Sequence, residues 1–163
     1  MTTPPKRALV TGGSGDLGGA ICRQLAADGL HVIVHANRNR ARAEAVVAAI
    51  HHAGDSAEAV AFDVADGDAT RAALDALLAD GPIQVVVNNA GIHDDAPLAG
   101  MSEAQWKRVI DVSLHGFLHV TQPLLLPMAR TLAIGPEALA AAAAELTTAT
   151  SPDLAAVSVG TPH

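Results

Sequence analysis

Aromatic residues are scarce in this chain of 163 residues, which has no tyrosine, two phenylalanines and one tryptophan. Hydrophobic residues nevertheless make up 50% of it, so Ala, Val, Leu and Ile can build a core. That content excludes a disordered or collagen-like chain. The length corresponds to about one ordinary domain.

Cysteine and positive charge are also scarce. The single cysteine, Cys22, excludes an internal disulfide and is typical of a reducing compartment, so we expect a cytoplasmic protein. The formal net charge of -7 leaves no general basic face for a nucleic-acid partner. A local cluster of arginines can still bind one phosphate group.

Two segments bear on export and membranes. Residues 1–7 lack the long apolar region of a secretory signal. Residues 112–129 carry no formal charge and are long enough to span a bilayer. Because Pro123 and Pro127 would break a lone spanning helix, we predict a buried helix of a soluble protein and no membrane partner.

Strand-like and helix-like segments alternate along the chain. The predicted strands are 7–10, 31–36, 57–63 and 83–87, and the predicted helices are 20–28, 40–52, 69–78 and a long helix with a capping box at Ser102 and Gln105. Four strand–helix units in this order predict an α/β fold with a parallel, doubly wound sheet, the Rossmann fold. The β-branched strands argue against an all-helical bundle.

A glycine-rich turn separates the first strand from the first helix. Residues 13–18 read GSGDLG and fit the pattern G-x-G-x-x-G. Glycines there allow a sharp turn and let backbone amides approach a pyrophosphate at the helix N-terminus. The motif alone is weak, since it can be a plain glycine-rich turn, but its position favours a dinucleotide site.

The residues after the second strand bear on which dinucleotide binds. NAD recognition uses a carboxylate about 20 residues beyond the glycines, but residues 36–40 read ANRNR. Arg38, helped by Asn37 and Arg40, could instead face a 2′-phosphate. The alternative is that these arginines bind no ligand and are only solvent-exposed side chains at the start of a helix. NADP(H) is favoured over NAD(H).

Four motifs in order make the chain resemble the short-chain dehydrogenase/reductase family. Residues 11–18 resemble its T-G-x-x-x-G-x-G turn, with Asp16 where the middle glycine is usual. Residues 62–64, reading FDV, resemble the end of its strand three, and residues 88–91 match its N-N-A-G signature. Residues 106–112 match the start of its helix four. The resemblance covers residues 6–130 and is nearest to 3-oxoacyl-acyl-carrier-protein reductases.

This resemblance implies hydride transfer between NADPH and a small-molecule or acyl-carrier-bound carbonyl substrate. Such enzymes form dimers and tetramers through their fourth and fifth helices and the end of the sheet; only part of that surface is present here, so a homo-oligomer is possible and the oligomeric state stays open. The expected cofactor-binding residues are Gly12, Ser14, Gly15, Asp16, Leu17, Gly18, Asn37, Arg38, Asp63, Val64, Asn89, Ala90 and Gly91.

The catalytic groups that the resemblance implies are incomplete. In the family, a tyrosine exchanges the substrate proton, a lysine four residues later lowers its pKa, and a helix-four asparagine holds a relay water. This chain has no tyrosine, and its two lysines, Lys6 and Lys107, precede the expected place. Ser113 occupies the asparagine position and could hold a water. Two interpretations stay open, a family oxidoreductase or a catalytically inactive nucleotide-binding remnant.

Histidines offer only weak substitutes. His115 and His119 lie one turn apart on a helix, where packed or rim histidines are the usual case. No third ligand stands near them, so we predict no metal site. His93, Asp94 and Asp95 follow the N-N-A-G segment, and we expect them to shape substrate access.

The segment after residue 130 departs from the family. We expect a dinucleotide-binding domain at 1–130 and an atypical tail at 131–163, whose alanine-rich part is helical from residue 137. Truncation or a shifted reading frame would explain the change. The predicted fourth strand then becomes an apolar edge, which the strand-like run 154–159 could cover. An uncovered edge would favour self-association.

Overall fold

The computed structural model describes residues 4–131. Its strands and helices alternate as expected and run, in chain order, β1 Arg7–Val10, α1 Asp16–Ala27, β2 His31–Ala36, α2 Arg40–His52, β3 Ala57–Ala61, α3 Gly67–Ala79, β4 Val85–Val87, α4 Glu103–Ile110 and α5 Gly116–Thr131. The predicted tail helix and the run 154–159 lie outside the described residues, and a domain division at residue 130 stays a prediction.

The four strands form one parallel sheet in the order β3-β2-β1-β4. In the register, Leu9 of β1 lies between Ile33 of β2 and Val86 of β4. The predicted α/β fold with a doubly wound parallel sheet is therefore confirmed. Among residues 4–131, the outer edge of β4 pairs with no strand, as expected for a sheet that ends at its fourth strand.

Helices cover both faces of the sheet, because successive strand residues point to opposite sides. On one side, α3 and α5 pack over a buried set comprising Leu9, Ile33, Phe62, Val64, Leu74, Leu77, Ile83, Val120 and Leu124. On the other side, α1 and α2 pack over Val10, Cys22, Ala26, Val32, Val34, Ala36, Ala43, Ile50 and Ala57. Burial on both faces explains why β1 and β2 read as nearly continuous apolar runs.

Two helices begin earlier than predicted. Helix α1 begins at Asp16 instead of residue 20, because Gly18 and Gly19 belong to its first turns. Helix α3 begins at Gly67 instead of residue 69, because the Asp66 side chain accepts a hydrogen bond from the Ala69 amide at 3.0 Å and caps the helix. The third and fourth strands are two residues shorter than predicted.

The capping box predicted at α4 is confirmed. The Ser102 hydroxyl accepts a hydrogen bond from the Gln105 amide at 3.2 Å, and the Gln105 side chain accepts one from the Ser102 amide at 3.0 Å. A π-helical turn, Asp111–His115, then joins α4 to α5. The whole segment is one helix, Glu103–Thr131.

The prediction that residues 112–129 form a buried helix is wrong for most of that length. Gly116, Val120 and Leu124 are buried against the sheet, whereas the outer face exposes Leu114, Phe117, Leu118, Leu125 and Leu126. A helix on a sheet buries one face only, and the described residues place nothing over the other. By length and apolar composition alone, Glu103–Thr131 is long and apolar enough to cross a membrane. The core helix of a soluble protein can meet the same two criteria, so this is weak evidence for a membrane span.

A half-buried arginine joins three elements at the opposite end of the sheet from the glycine turn. The Arg7 side chain, 11% exposed, donates to the carbonyls of Leu77 and Gly81, both at 2.7 Å, and to the Glu58 carboxylate at 2.8 Å. Burial acts to raise the pKa of Glu58, but hydrogen bonds from Arg7 and His31 outweigh it and hold that pKa below its ordinary value. This part of the stability is lost as pH falls through the lowered pKa.

We expect the substitution Arg7→Met to lower the free energy of unfolding by about 2 kcal/mol, because it leaves two carbonyls and a carboxylate without their donor. Urea denaturation at neutral pH measures the change. Arg40→Met is the matched control, since Arg40 pairs with Glu44 within one exposed helix turn and its loss should change stability by less than about 0.5 kcal/mol. Equal losses for the two variants would contradict the expectation.

Candidate functional site

A cleft of about 230 Å³ opens at the carboxyl ends of the strands, where parallel α/β sheets bind their ligands. Its wall is formed by Gly12, Ser14, Gly15, His35, Asn37, Asp63, Val64, Ala90, Gly91, Ile92 and Val112. The loops after all four strands contribute to this wall. The cleft thus brings together eight of the thirteen residues predicted from the sequence to bind a cofactor.

The glycine turn is packed so tightly that side chains are excluded from it. Gly12 has a φ of 65°, in the left-handed region that favours glycine. A Cβ on Gly18 would lie 2.2 Å from the Gly12 carbonyl oxygen, and one on Gly13 would lie 2.9 Å from the Cys22 sulfur. Gly15 precedes α1 as its N-cap and has no side chain to cap it. The first amides of α1 are therefore available to an anion.

Thr11 and Asn89 tie the glycine turn to the loop after β4. The Thr11 hydroxyl accepts hydrogen bonds from the Asn89 and Ala90 amides, each at 3.0 Å. The Asn89 side chain donates to the Thr11 carbonyl at 3.0 Å and to the Gly12 carbonyl at 3.2 Å. Asn89 thus braces the cleft from behind and is absent from its wall. Thr11 was not among the predicted site residues, although it opens the T-G motif.

His35 lies in the cleft wall at the end of β2 and is 1% exposed. Its Nδ1 accepts a hydrogen bond from the Gly12 amide at 3.0 Å, and its Nε2 donates to the Phe62 carbonyl at 2.8 Å. Burial lowers the pKa of the imidazole, against the opposing influences of Phe62 and Asp63. His35 was not predicted from the sequence, because it lies inside an apolar strand. A histidine within a strand that is buried on both faces must find hydrogen-bond partners, and this was the signal that could have indicated its role.

The far end of the cleft is polar. Asn37 and Asp63 both line it, and Asp63 accepts a hydrogen bond from the Ala65 amide at 3.0 Å. Arg38 is exposed beside Asn37 and does not line the cleft. Arg40 pairs with Glu44 at 2.9 Å on the exposed side of α2. For Arg40, the structure therefore agrees with the alternative of a solvent-exposed side chain at the helix start.

The other predicted residues outside the cleft wall lie in α1. Asp16, Leu17 and Gly18 form its first turn, and the Leu17 side chain is 70% exposed. A role for Asp16 and Leu17 in binding therefore falls on their backbone amides.

Ser113 lines a neighbouring cavity of about 130 Å³. The cavity also touches Thr11, Val64, Asn88, Ala90, Val112, Gly116 and Phe117. The π turn Asp111–His115 places Val112 and Ser113 here, and a π turn was not expected from the sequence.

The remaining polar candidates make local contacts. The His115 Nδ1 forms a hydrogen bond with the Asp111 carboxylate at 2.8 Å, and the His119 Nδ1 donates to the Val64 carbonyl at 2.9 Å. Asp94 receives hydrogen bonds from Gln105 and Arg108 of α4; Gln105 is the larger cause of its lowered pKa. Within the described residues, no group of three His, Cys, Asp or Glu side chains could hold a metal ion.

Comparisons with known proteins match the fold and these motifs. A family model described as short chain dehydrogenase matches residues 6–135, which is most of the chain. The chain belongs to the short-chain dehydrogenase family. Its likeness to 3-oxoacyl-acyl-carrier-protein reductases is also confirmed: it is 40% identical over 118 residues to the enzyme of that name from Staphylococcus aureus, covering 72% of this chain and 48% of that one.

Two further relatives are also covered only in part. An acetoacetyl-CoA reductase from Cupriavidus necator is 37% identical over 123 residues, covering 75% of this chain and 50% of that one. The crystal structure of a metagenomic short-chain oxidoreductase in complex with NADP is 33% identical, with a TM-score of 0.74, covering 78% of this chain and 58% of that chain. This short-chain dehydrogenase chain thus spans about half the length of the curated relatives it matches.

Proposed function

We propose that this chain binds a nicotinamide dinucleotide, NADP(H) in preference to NAD(H), in the cleft at the carboxyl ends of the strands. The observation that carries the proposal is the glycine turn, in which Gly18 leaves no room for a Cβ beside the Gly12 carbonyl. That packing sets the start of α1 against the cleft, where its free amides suit a pyrophosphate.

The predicted residues suggest how the dinucleotide would lie. The free backbone amides of residues 16–18 would hold the pyrophosphate, with Ser14 and Gly15 lining the cleft beside it. Asp63 and Val64, at the polar end of the cleft, would contact the adenine, and Asn37 with Arg38 would face a ribose 2′-phosphate. Ala90 and Gly91, held by the brace of Thr11 and Asn89, would line the path to the nicotinamide.

We expect Arg38→Ala to raise the Kd for NADP⁺ about tenfold, because a charge-assisted bond to the 2′-phosphate is lost. The Kd for NAD⁺, which lacks that phosphate, should change less than about twofold. Isothermal titration of both ligands measures this. Arg42→Ala, which removes an exposed arginine further along α2, is the control. Equal losses for NAD⁺ and NADP⁺ in the Arg38 variant would overturn the assigned role.

We also propose that the chain by itself binds the dinucleotide without turning over a carbonyl substrate. A bound nicotinamide supplies the hydride, and the carbonyl oxygen then needs a proton donor. The sequence holds no tyrosine for that role. Lys107, one of its two lysines, pairs with Asp111 at 3.1 Å on the exposed side of α4, and Ser113 beside the second cavity can hold a water but is a poor acid.

The test pairs a fluorescence titration of NADPH with a steady-state assay of NADPH oxidation. The substrate class taken from the family likeness is a small or acyl-carrier-bound carbonyl compound, and a 3-oxoacyl thioester serves as the probe. Binding without oxidation supports both parts of the proposal. An absence of binding contradicts the first part, and measurable oxidation contradicts the second. A cytoplasmic location and homo-oligomerisation stay predictions.

A further inference from the structure

His35 connects the end of β2 to the glycine turn through both its side chain and its backbone. The ring accepts from the Gly12 amide at 3.0 Å, and the His35 carbonyl accepts from the Ser14 amide at 3.2 Å. On its other side, the ring bonds the Phe62 carbonyl and packs on the Phe62 side chain with centroids 4.2 Å apart. The imidazole therefore holds the turn on β2 and on the residue after β3.

The two partners determine which ring nitrogen carries the proton. The Gly12 amide can only donate, so Nδ1 must be bare, and the Phe62 carbonyl can only accept, so Nε2 must carry hydrogen. A second proton, on Nδ1, would set two N–H groups against each other across 3.0 Å. Water cannot relieve that conflict easily, because His35 is 1% exposed.

Displacement of the Gly12 backbone would spread through the turn. The Gly12 carbonyl accepts hydrogen bonds from the Gly15 amide at 3.1 Å and from the Asn89 side chain at 3.2 Å. Gly18 of α1 packs directly against the same oxygen. The Gly12 amide and carbonyl lie on adjacent peptide units joined at the Gly12 Cα, so a shift of the Gly12 backbone disturbs the start of α1 and the brace from the loop after β4 together.

We propose that His35 is a positioning residue of the dinucleotide site: its neutral ring, with the proton on Nε2, holds the glycine turn in the binding geometry, and protonation of Nδ1 in acid weakens dinucleotide binding. This inference rests on the proposed function of the cleft and adds a regulation by pH. His35 positions the turn, and backbone amides rather than the ring would contact the phosphates.

The surroundings of His35 set the direction of the pH dependence. Asp63, in the segment after β3, is the charged group that acts on the ring, and it favours the protonated form. Around the ring, β1 and the turn contribute Thr11, Gly12 and Ser14, which carry no charge. Burial opposes protonation more strongly, so the pKa lies below its ordinary value. The neutral ring is then the form present at pH 7, and binding is lost only as pH falls through the lowered pKa.

The test is isothermal titration of the chain with NADP⁺, the form that survives acid, from about pH 5 to about pH 8. His35→Asn replaces the ring with an amide whose oxygen lies near the place of Nδ1, so it can accept from Gly12, and which does not titrate. Below the pKa of His35 the Kd of the unaltered chain should rise about tenfold per pH unit relative to the variant. Both share the titration of the ligand's own 2′-phosphate, so their ratio isolates the ring.

His31→Asn is the matched control, because His31 lies on the same strand at its opposite end, with Ser56 and Glu58 as partners. Its profile should follow that of the unaltered chain. Parallel profiles for the unaltered chain and the His35 variant would overturn the role of His35 while leaving dinucleotide binding established. Absence of NADP⁺ binding at neutral pH would instead overturn the proposed function.

A second measurement needs no variant and no ligand. Nitrogen-15 NMR of the histidine rings should show Nε2 of His35 protonated and Nδ1 bare at neutral pH, and the Gly12 amide resonance should shift as His35 titrates. A proton on Nδ1 at neutral pH, or a Gly12 resonance unmoved by that titration, would overturn the proposal even if the His35 variant fails to fold.

Discussion

Gly18→Ala should abolish dinucleotide binding and lower the free energy of unfolding by about 3 kcal/mol or more. The added Cβ would lie 2.2 Å from the Gly12 carbonyl oxygen and 2.7 Å from the side-chain nitrogen Nδ2 of Asn89. The first of these is a backbone atom inside a tight turn, so it cannot rotate away as a side chain would. Relief of the clash must move α1 away from the turn, and the proposed pyrophosphate site depends on that contact.

Gly19→Ala is the matched control for this substitution. It places the same methyl group one residue further along α1, where the nearest atoms are 3.4 to 3.5 Å away. Alanine also has a higher helix propensity, so stability should stay equal or rise by up to about 1 kcal/mol. Thermal denaturation and NADP⁺ titration of both variants measure the contrast. Normal binding by the Gly18 variant would show that the tight contact is dispensable.

Thr11→Val should lower the free energy of unfolding by about 3 kcal/mol, because the buried Thr11 hydroxyl loses three hydrogen bonds, those from the Asn89 and Ala90 amides and the one to the Val87 carbonyl. Valine has nearly the same shape as threonine, so the loss is one of hydrogen bonds rather than of packing. The loop after β4 should loosen, and NADP⁺ should bind more weakly as Ala90 and Gly91 move. Urea denaturation gives the stability, and amide hydrogen exchange at Asn89 and Ala90 reports the loop.

Thr11→Ser keeps the hydroxyl and removes one methyl group, so it separates the two contributions. We expect it to cost no more than about 1 kcal/mol and to leave amide exchange in the loop slow. If the serine and valine variants lost equal stability, the methyl group rather than the hydroxyl would hold this part of the structure together.

The fold could be predicted from the sequence because the sheet is buried on both faces. Continuous apolar runs such as 31–36 and glycines at the helix ends are strong local patterns, and right-handed crossovers leave few topologies to consider. The helix starts were harder to predict. The predicted helix began only at residue 20, whereas Gly18 and Gly19 lie within α1.

Residues of the cleft could be predicted from the sequence where a local motif, a glycine in a tight turn or an acidic residue after a strand, explains their presence. The presence of Gly12 in the turn and of Asp63 just after β3 is of that kind. His35 and Thr11 act through partners 23 to 79 residues away, which no local pattern specifies. The burial expected of residues 112–129 was wrong because apolar composition does not show which face of a helix will be covered.

The brace between Thr11 and Asn89 also affects the order in which the molecule can assemble. Its two halves are 78 residues apart, so the first three strands leave the ribosome well before the loop that completes the cleft. Closing so long a stretch is entropically unfavourable until β4 aligns beside β1. The cleft is thus incomplete in shorter nascent chains and forms only when residue 90 has emerged.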